Sequence, residues 1–245
     1  MTGTKPLSFP MEQNHKFALD DSDHLDNPRA YHRLIGRLIF FTITRSELCY
    51  SVHILSQFMH QPHHGNWVAA LRVLRYHKSS PGKGIFLSSK ADLSLRAYCD
   101  SDWASCPLTR RSITGYFILL GDSPISWKTK KQTTVSRSSA EVEYRSMGLR
   151  TLLKDLTVNH SFPAQLLCNN RAALHIAANP VHHERTKHIE IDCHFIRDCI
   201  QSCSIMTSHV SSNLQLADIF TKALGNIQFQ FLVGKLGIRN LRAPT

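Results

Sequence analysis

Two aspartates one residue apart, Asp100 and Asp102 in Ala97-Tyr98-Cys99-Asp100-Ser101-Asp102-Trp103-Ala104, close a run that reads as a strand. Leu93, Leu95, Ala97 and Cys99 alternate with Ser94, Arg96, Tyr98 and Asp100, the period of two expected of a strand with one apolar face. On that reading Asp100 points away from the apolar face, and the strand delivers carboxylates into a turn. A second acidic pair, Glu141 and Glu143, lies in Ser138-Ser139-Ala140-Glu141-Val142-Glu143-Tyr144, where Ser138 and Glu141 have the spacing of a capping box that opens a helix. A third acid, Asp218, stands in Leu216-Ala217-Asp218-Ile219-Phe220-Thr221-Lys222, a short helical pattern near the end. One acid from a strand and two from separate helices suit Mg²⁺, a hard cation that takes a few carboxylates and keeps waters for a substrate phosphate. Taken singly, each motif also reads as a solvated turn residue or a helix cap.

The elements that would position these acids follow from periodicity. Residues 1 to 27 are polar, carry Pro6, Pro10 and the run Asp20-Asp21-Ser22-Asp23, and read as an irregular arm. Phe17-Ala18-Leu19 before that run invites comparison with a polymerase Asp-Asp turn, but two facing apolar strands are missing. From 28 to 84 three helices are expected, marked by Leu34, Ile35, Leu38, Ile39 and Thr42, then Leu48, Val52, Leu55 and Met59, then Trp67, Ala70, Leu71 and Leu74. Arg72, Arg75 and Lys78 on the third either grip phosphate or form the polar face of a packed layer. After Ser79-Ser80-Pro81-Gly82-Lys83-Gly84 the pattern changes to short strands near 85–87, 93–99, 114–120 and 124–128, then a helix from Ala140. A strand at 164–168, helices at 171–178 and along Ile189, Cys193, Ile196 and Ile200, a strand at 204–210 and helices at 214–224 and 227–236 complete the chain. Such an order argues for an α+β or mixed α/β layer fold, helices against a five-stranded sheet.

Composition sets the partners. The 245 residues hold 42% hydrophobic and 19% charged side chains, enough for a buried core, and the formal net charge of +11 points to an anionic partner such as nucleic acid. Seven cysteines fall in no regular framework, and no apolar leader precedes them, so they are read as reduced thiols in an intracellular protein, cytoplasmic or nuclear. Cys193, His194, Cys199 and Cys203 with His182, His183 and His188 upstream lack the C-x₂-C pair of a zinc site. The longest apolar run, near 34–43, is broken by Gly36 and Arg37, so no membrane span is expected.

The order of the motifs resembles the RNase H domain of copia-type (Pseudoviridae) retrotransposon Pol polyproteins along nearly the whole chain. The residues that carry the likeness are Tyr98 to Ala104, Arg110-Arg111-Ser112-Ile113-Thr114-Gly115-Tyr116, Ile125-Ser126-Trp127-Lys128, Ser138 to Arg145, His183-Glu184-Arg185-Thr186-Lys187-His188-Ile189-Glu190-Ile191-Asp192, and Gln215 to Lys222. The resemblance implies an RNase H-like domain over 85–245 with a mixed five-stranded sheet, after an arm from the reverse transcriptase (1–27) and a helical thumb or connection region (28–84). It also implies hydrolysis of the RNA strand of an RNA–DNA hybrid by two Mg²⁺ ions, with Mn²⁺ as substitute, roughly 4 Å apart. Asp100, Glu143 and Asp218 would be the ligands, with Asp102 and Glu141 as alternates for the first two. The remainder of the Pol polyprotein is the implied protein partner, and no small-molecule substrate is expected.

Two departures weaken the likeness at the chemistry. The family's fourth carboxylate ends a central strand in a Cys-Asp-Asn-type motif, and here the sequence is Leu167-Cys168-Asn169-Asn170, so a neutral amide stands at the acidic position. Between Tyr144 and Leu166 the family's helix is longer, and Gly148 lowers the propensity of what remains by ~1 kcal/mol. Weak or absent hydrolysis is therefore expected, with a catalytically dead nucleic-acid-binding module or a decayed retroelement fragment as alternatives.

Overall fold

Asn27 caps the first helix by accepting the backbone N–H of Ala30 at 3.2 Å, and Pro28 follows where its missing N–H costs nothing. In this computed structural model, which describes residues 3–15, 17, 22–89, 92–107, 109–136, 163–178 and 190–240, that helix is α1, Pro28–Phe41. Its buried positions Tyr31, Ile35 and Leu38 keep one helical face, and the Tyr31 hydroxyl donates to Leu55 O at 2.8 Å in α2, Cys49–Ser56. α3, His64–Ser79, opens with the Asn66 side chain accepting from His63 N at 2.8 Å. Its buried stripe is Ala69, Ala70, Val73 and Tyr76, rotated from the one read through Leu71 and Leu74.

The chain divides into two compact units, residues 1–86 with 222–245, and residues 87–221. That division departs from an RNase H-like domain running from 85 to the end. The strand expected at 85–87 is β1, Lys83–Ile85, and it pairs antiparallel with a strand at Ile238–Asn240 in a two-stranded sheet of its own. A strand this short needs a partner, and the C-terminal residues supply it.

The second unit is organised on β2, Leu95–Asp102. Antiparallel to it lies β3, Ile113–Leu120, in a register from Leu95 opposite Leu120 to Asp102 opposite Ile113, and β4, Ser123–Lys131, continues outward. On the other side β5, Ala164–Cys168, runs parallel to β2, and β6, Ile205–His209, parallel to β5. The order β4-β3-β2-β5-β6 makes the mixed five-stranded sheet expected of an RNase H-like fold. Helices α4, Arg171–Ala178, and α5, Glu190–Gln201, are the described flanking helices. Leu95, Ala97, Cys99, Ile118, Leu166 and Cys168 share one core with Ala173, Ala177 and Ile196.

The helix expected at 214–224 is instead a pair of 3₁₀ turns, Ser212–Leu214 and Leu216–Phe220, and α6 spans Asn226–Val233. Local side-chain bonds compete with an α-ladder here. The Gln215 side chain caps Ala217 N at 3.2 Å, and the Thr221 hydroxyl turns back towards Ala217 O and Asp218 O at 3.5 and 3.4 Å. Among the described residues, Cys49, Cys99, Cys106, Cys168, Cys199 and Cys203 form no disulfide, and no helix is long and apolar enough to cross a membrane.

Candidate active site

Asp100 is 2% exposed although its alternation places it off the apolar face. The second face of β2 is covered, because the turn at Leu216–Phe220 lies across it and ties down there. Gln215 Nε2 donates to Cys99 O at 2.9 Å, Thr129 Oγ1 donates to Phe220 O at 2.8 Å, and the Phe220 ring stacks on Phe117 with centroids 5.6 Å apart. Gly115, opposite Asp100 in the register, makes the approach possible. A Cβ there would stand 2.7 Å from Phe220 Cβ and 2.9 Å from Thr221 Cγ2. A glycine inside a strand signals such contact with another piece of backbone.

Both oxygens of the Asp100 carboxylate accept hydrogen bonds from the protein. The Asn169 amide donates to Oδ1 at 3.3 Å, and the Thr221 hydroxyl donates to Oδ2. β5 delivers Asn169 because it runs parallel to β2, so both strands end on the same side of the sheet. Asn170 then accepts from Ala173 N at 3.1 Å and starts α4. Asp218 is also buried, 6% exposed, on the turn that supplies Thr221, whose hydroxyl links the Asp100 carboxylate to the Asp218 carbonyl. Asp218 therefore sits on a 3₁₀ turn, not on the helix expected from the sequence.

The sequence-derived residues thus divide three ways. Asp100 and Asn169 touch, and Asp218 lies on the segment bonded to Asp100. Asp102, the alternate, ends β2 half-buried. Glu141, Glu143 and the shortened helix after Tyr144 lie outside the described residues. Gly115, Gln215 and Thr221 lie within the motifs that carry the family likeness, but no role at the site is read for them from sequence alone. The glycine signals close approach, as a residue that weakens an otherwise apolar strand.

Oxygen donors such as these are the type a hard cation takes. Among the described residues, however, no group of three His, Cys, Asp or Glu stands close enough to hold a metal ion. Among the described residues, hydrogen-bond donors meet both Asp100 oxygens, and an amide stands in place of the fourth acid. Of the thiols and imidazoles weighed for zinc, only Cys199 and Cys203 have side chains within the described set.

No protein-family model matches the chain. It is similar to the retrovirus-related Pol polyprotein from transposon RE2 of Arabidopsis thaliana, 42% identical over 246 residues that cover 97% of this chain and 17% of that protein. The Pol polyprotein from transposon RE1 of the same plant is 41% identical over 246 residues, again 97% of this chain and 17% of the relative. The chain thus spans 17% of the length of these curated relatives. Among solved structures, LC11-RNase H1 in complex with RNA/DNA hybrid aligns over 52% of this chain and 94% of that one, with a TM-score of 0.41 and 11% identity, a likeness too distant to add to the topology above. With matches of 42% and 41% identity along nearly its whole length, the chain belongs to the copia-type retrotransposon Pol polyproteins, of which it is a piece with an RNase H-like fold.

Proposed function

We propose that the second unit is a hybrid-binding RNase H-like domain whose hydrolysis is impaired at Asn169. The observation that supports this reading is the Asn169 amide donating to Asp100 Oδ1 at 3.3 Å. An aspartate at 169 would put two carboxylates side by side, a pair that repels until a cation enters between them. An asparagine turns that repulsion into a hydrogen bond, so the Asp100 charge is met by the protein itself. Asp100, Glu143 and Asp218 remain the ligands this reading requires for Mg²⁺ or Mn²⁺. A loss of ~2.7 kcal/mol in transition-state stabilisation is about a hundredfold in rate.

Binding does not depend on that charge. Affinity for a hybrid comes largely from Lys and Arg against phosphates; the whole chain carries a net charge of +11, and residues 87–221 hold 15 Lys and Arg against 12 Asp and Glu, a net of +3. The test is cleavage of a labelled RNA–DNA hybrid in Mg²⁺ and in Mn²⁺ by the unmodified chain and by Asn169→Asp, with hybrid affinity measured over a salt series. Hybrid binding that falls as salt rises, with little cleavage until Asn169→Asp, is the expected outcome. The variant should also gain thermal stability on adding Mg²⁺ where the unmodified chain does not. Robust Mg²⁺-dependent cleavage by the unmodified chain would overturn the discount on activity. Absence of hybrid binding at any salt would favour a decayed fragment.

A further inference from the structure

We infer that Trp103 and the arginines of the turn after it form a shelf for the hybrid strand that approaches Asp100, with the indole face packed against a sugar of that strand. The inference rests on the hybrid-binding reading above and names a contact within it.

Trp103 follows directly on the last residue of β2 and stands three residues beyond Asp100. It is 51% exposed, although an indole in water forfeits a large apolar burial. Its polar edge is already satisfied, since Nε1 donates to Ser136 O at 3.2 Å, so the surface left in water is carbon. Val135, next in sequence to that anchor, is 55% exposed.

The turn that holds Trp103 is braced. Ala104 N donates to Ser112 Oγ at 2.9 Å, Cys106 N to Arg111 O at 3.1 Å, and Arg110 N to Cys106 O at 2.8 Å. Ala104 and Arg110 take φ of 51° and 52°, a left-handed conformation that side-chain-bearing residues adopt only when their surroundings hold them there. Arg110 and Arg111 are exposed on the returning limb, and Lys130 is exposed opposite Thr114 on the adjoining strands. A fixed aromatic face beside exposed cations, at the strand end that carries Asp100, matches a polyanion whose sugars are apolar between phosphates. An RNA–DNA hybrid has A-like form and offers such sugars in a shallow minor groove.

Hybrid affinity is measured by fluorescence anisotropy over a salt series for the unmodified chain, Trp103→Ala, Trp103→Phe and the double variant Arg110→Ala/Arg111→Ala. Trp103→Ala should weaken binding about tenfold without changing the slope of affinity against salt, because the lost contact is uncharged. Trp103→Phe keeps an aromatic face without the Ser136 bond and should recover most of the affinity. The arginine pair should flatten the salt slope by about 1–2. Tryptophan emission should also fall on adding hybrid to the unmodified chain, and this change should be lost in Trp103→Phe. If Trp103→Ala fails to fold, the emission comparison decides, and hybrid-induced quenching that survives in Trp103→Phe overturns the inference. Trp103→Ala binding as the unmodified chain does overturns the inference and leaves the hybrid-binding reading standing. No hybrid binding by the unmodified chain overturns both.

Discussion

Replacing Gly115 by alanine places one methyl group where β3 meets the turn that covers Asp100. The new carbon would lie 2.7 Å from Phe220 Cβ, 2.9 Å from Thr221 Cγ2 and 3.2 Å from the Phe220 carbonyl carbon. None of these is the far end of a flexible side chain. Phe220 is fully buried, stacked on Phe117 and bonded through its carbonyl to Thr129, so it has nowhere to retreat. Overpacking of this kind costs about 1–3 kcal/mol. If the turn lifts, the Thr221 hydroxyl also leaves the Asp100 carboxylate, and a buried acceptor losing a donor costs a further 1–3 kcal/mol or so. The expected loss is therefore about 2–6 kcal/mol, read as a lower urea midpoint at unchanged m-value. Gly36→Ala supplies the control. Gly36 lies on the exposed side of α1 with nothing within 4 Å of an added Cβ, so the same methyl should raise stability by about 0.5–1 kcal/mol through helix propensity. A Gly115→Ala midpoint equal to that of the unmodified chain would refute the account of how the turn is seated.

Thr221→Val keeps the shape but removes the donor to Asp100 and should cost about 1–3 kcal/mol in urea, while Thr221→Ser retains the bond and should lose less; the reverse ranking would show that the methyl matters and the hydroxyl does not. Arg45 and Glu47 pair at 2.6 Å with each 1% exposed, so Arg45→Met strands a buried carboxylate and should cost about 3–5 kcal/mol by chemical denaturation. Arg45→Met with Glu47→Leu should recover most of that loss, and no recovery would argue against charge burial as the cause. Burial, and then the charge of Arg45 at 3.1 Å, hold His77 below its ordinary 6.5. The folded chain then binds fewer protons than the unfolded one, so the stability His77 contributes is whole above pH 6.5 and is lost as pH falls from there towards the folded value. His77→Gln should flatten the acid side of a stability–pH curve just below that range, and an unchanged slope would assign the acid loss elsewhere.

Local pattern was enough for the strand that carries Asp100. Alternation through Leu95, Ala97 and Cys99 identified β2, and Ala164–Cys168 and Arg171–Ala178 stand where apolar runs and the break before Pro180 put them. The amide at position 169 was equally plain, since residue type at a strand end is a property of the chain alone. Periodicity carries no information about what later covers a face. Asp100 looked solvent-facing from its own strand and is buried because residues more than a hundred positions away fold over it. The short pattern at 216–220 suited an α-helix, yet it forms a 3₁₀ turn whose flanking Gln215 and Thr221 bond Cys99 O and the Asp100 carboxylate on β2. The strand at Lys83–Ile85 resembled the first of the sheet, yet it pairs with Ile238–Asn240. Alternation and helix signals act over a few residues and can be read in order. Burial of a carboxylate, the seat of a turn against a glycine and the partner of an edge strand depend on which distant segments meet, and packing in three dimensions decides that.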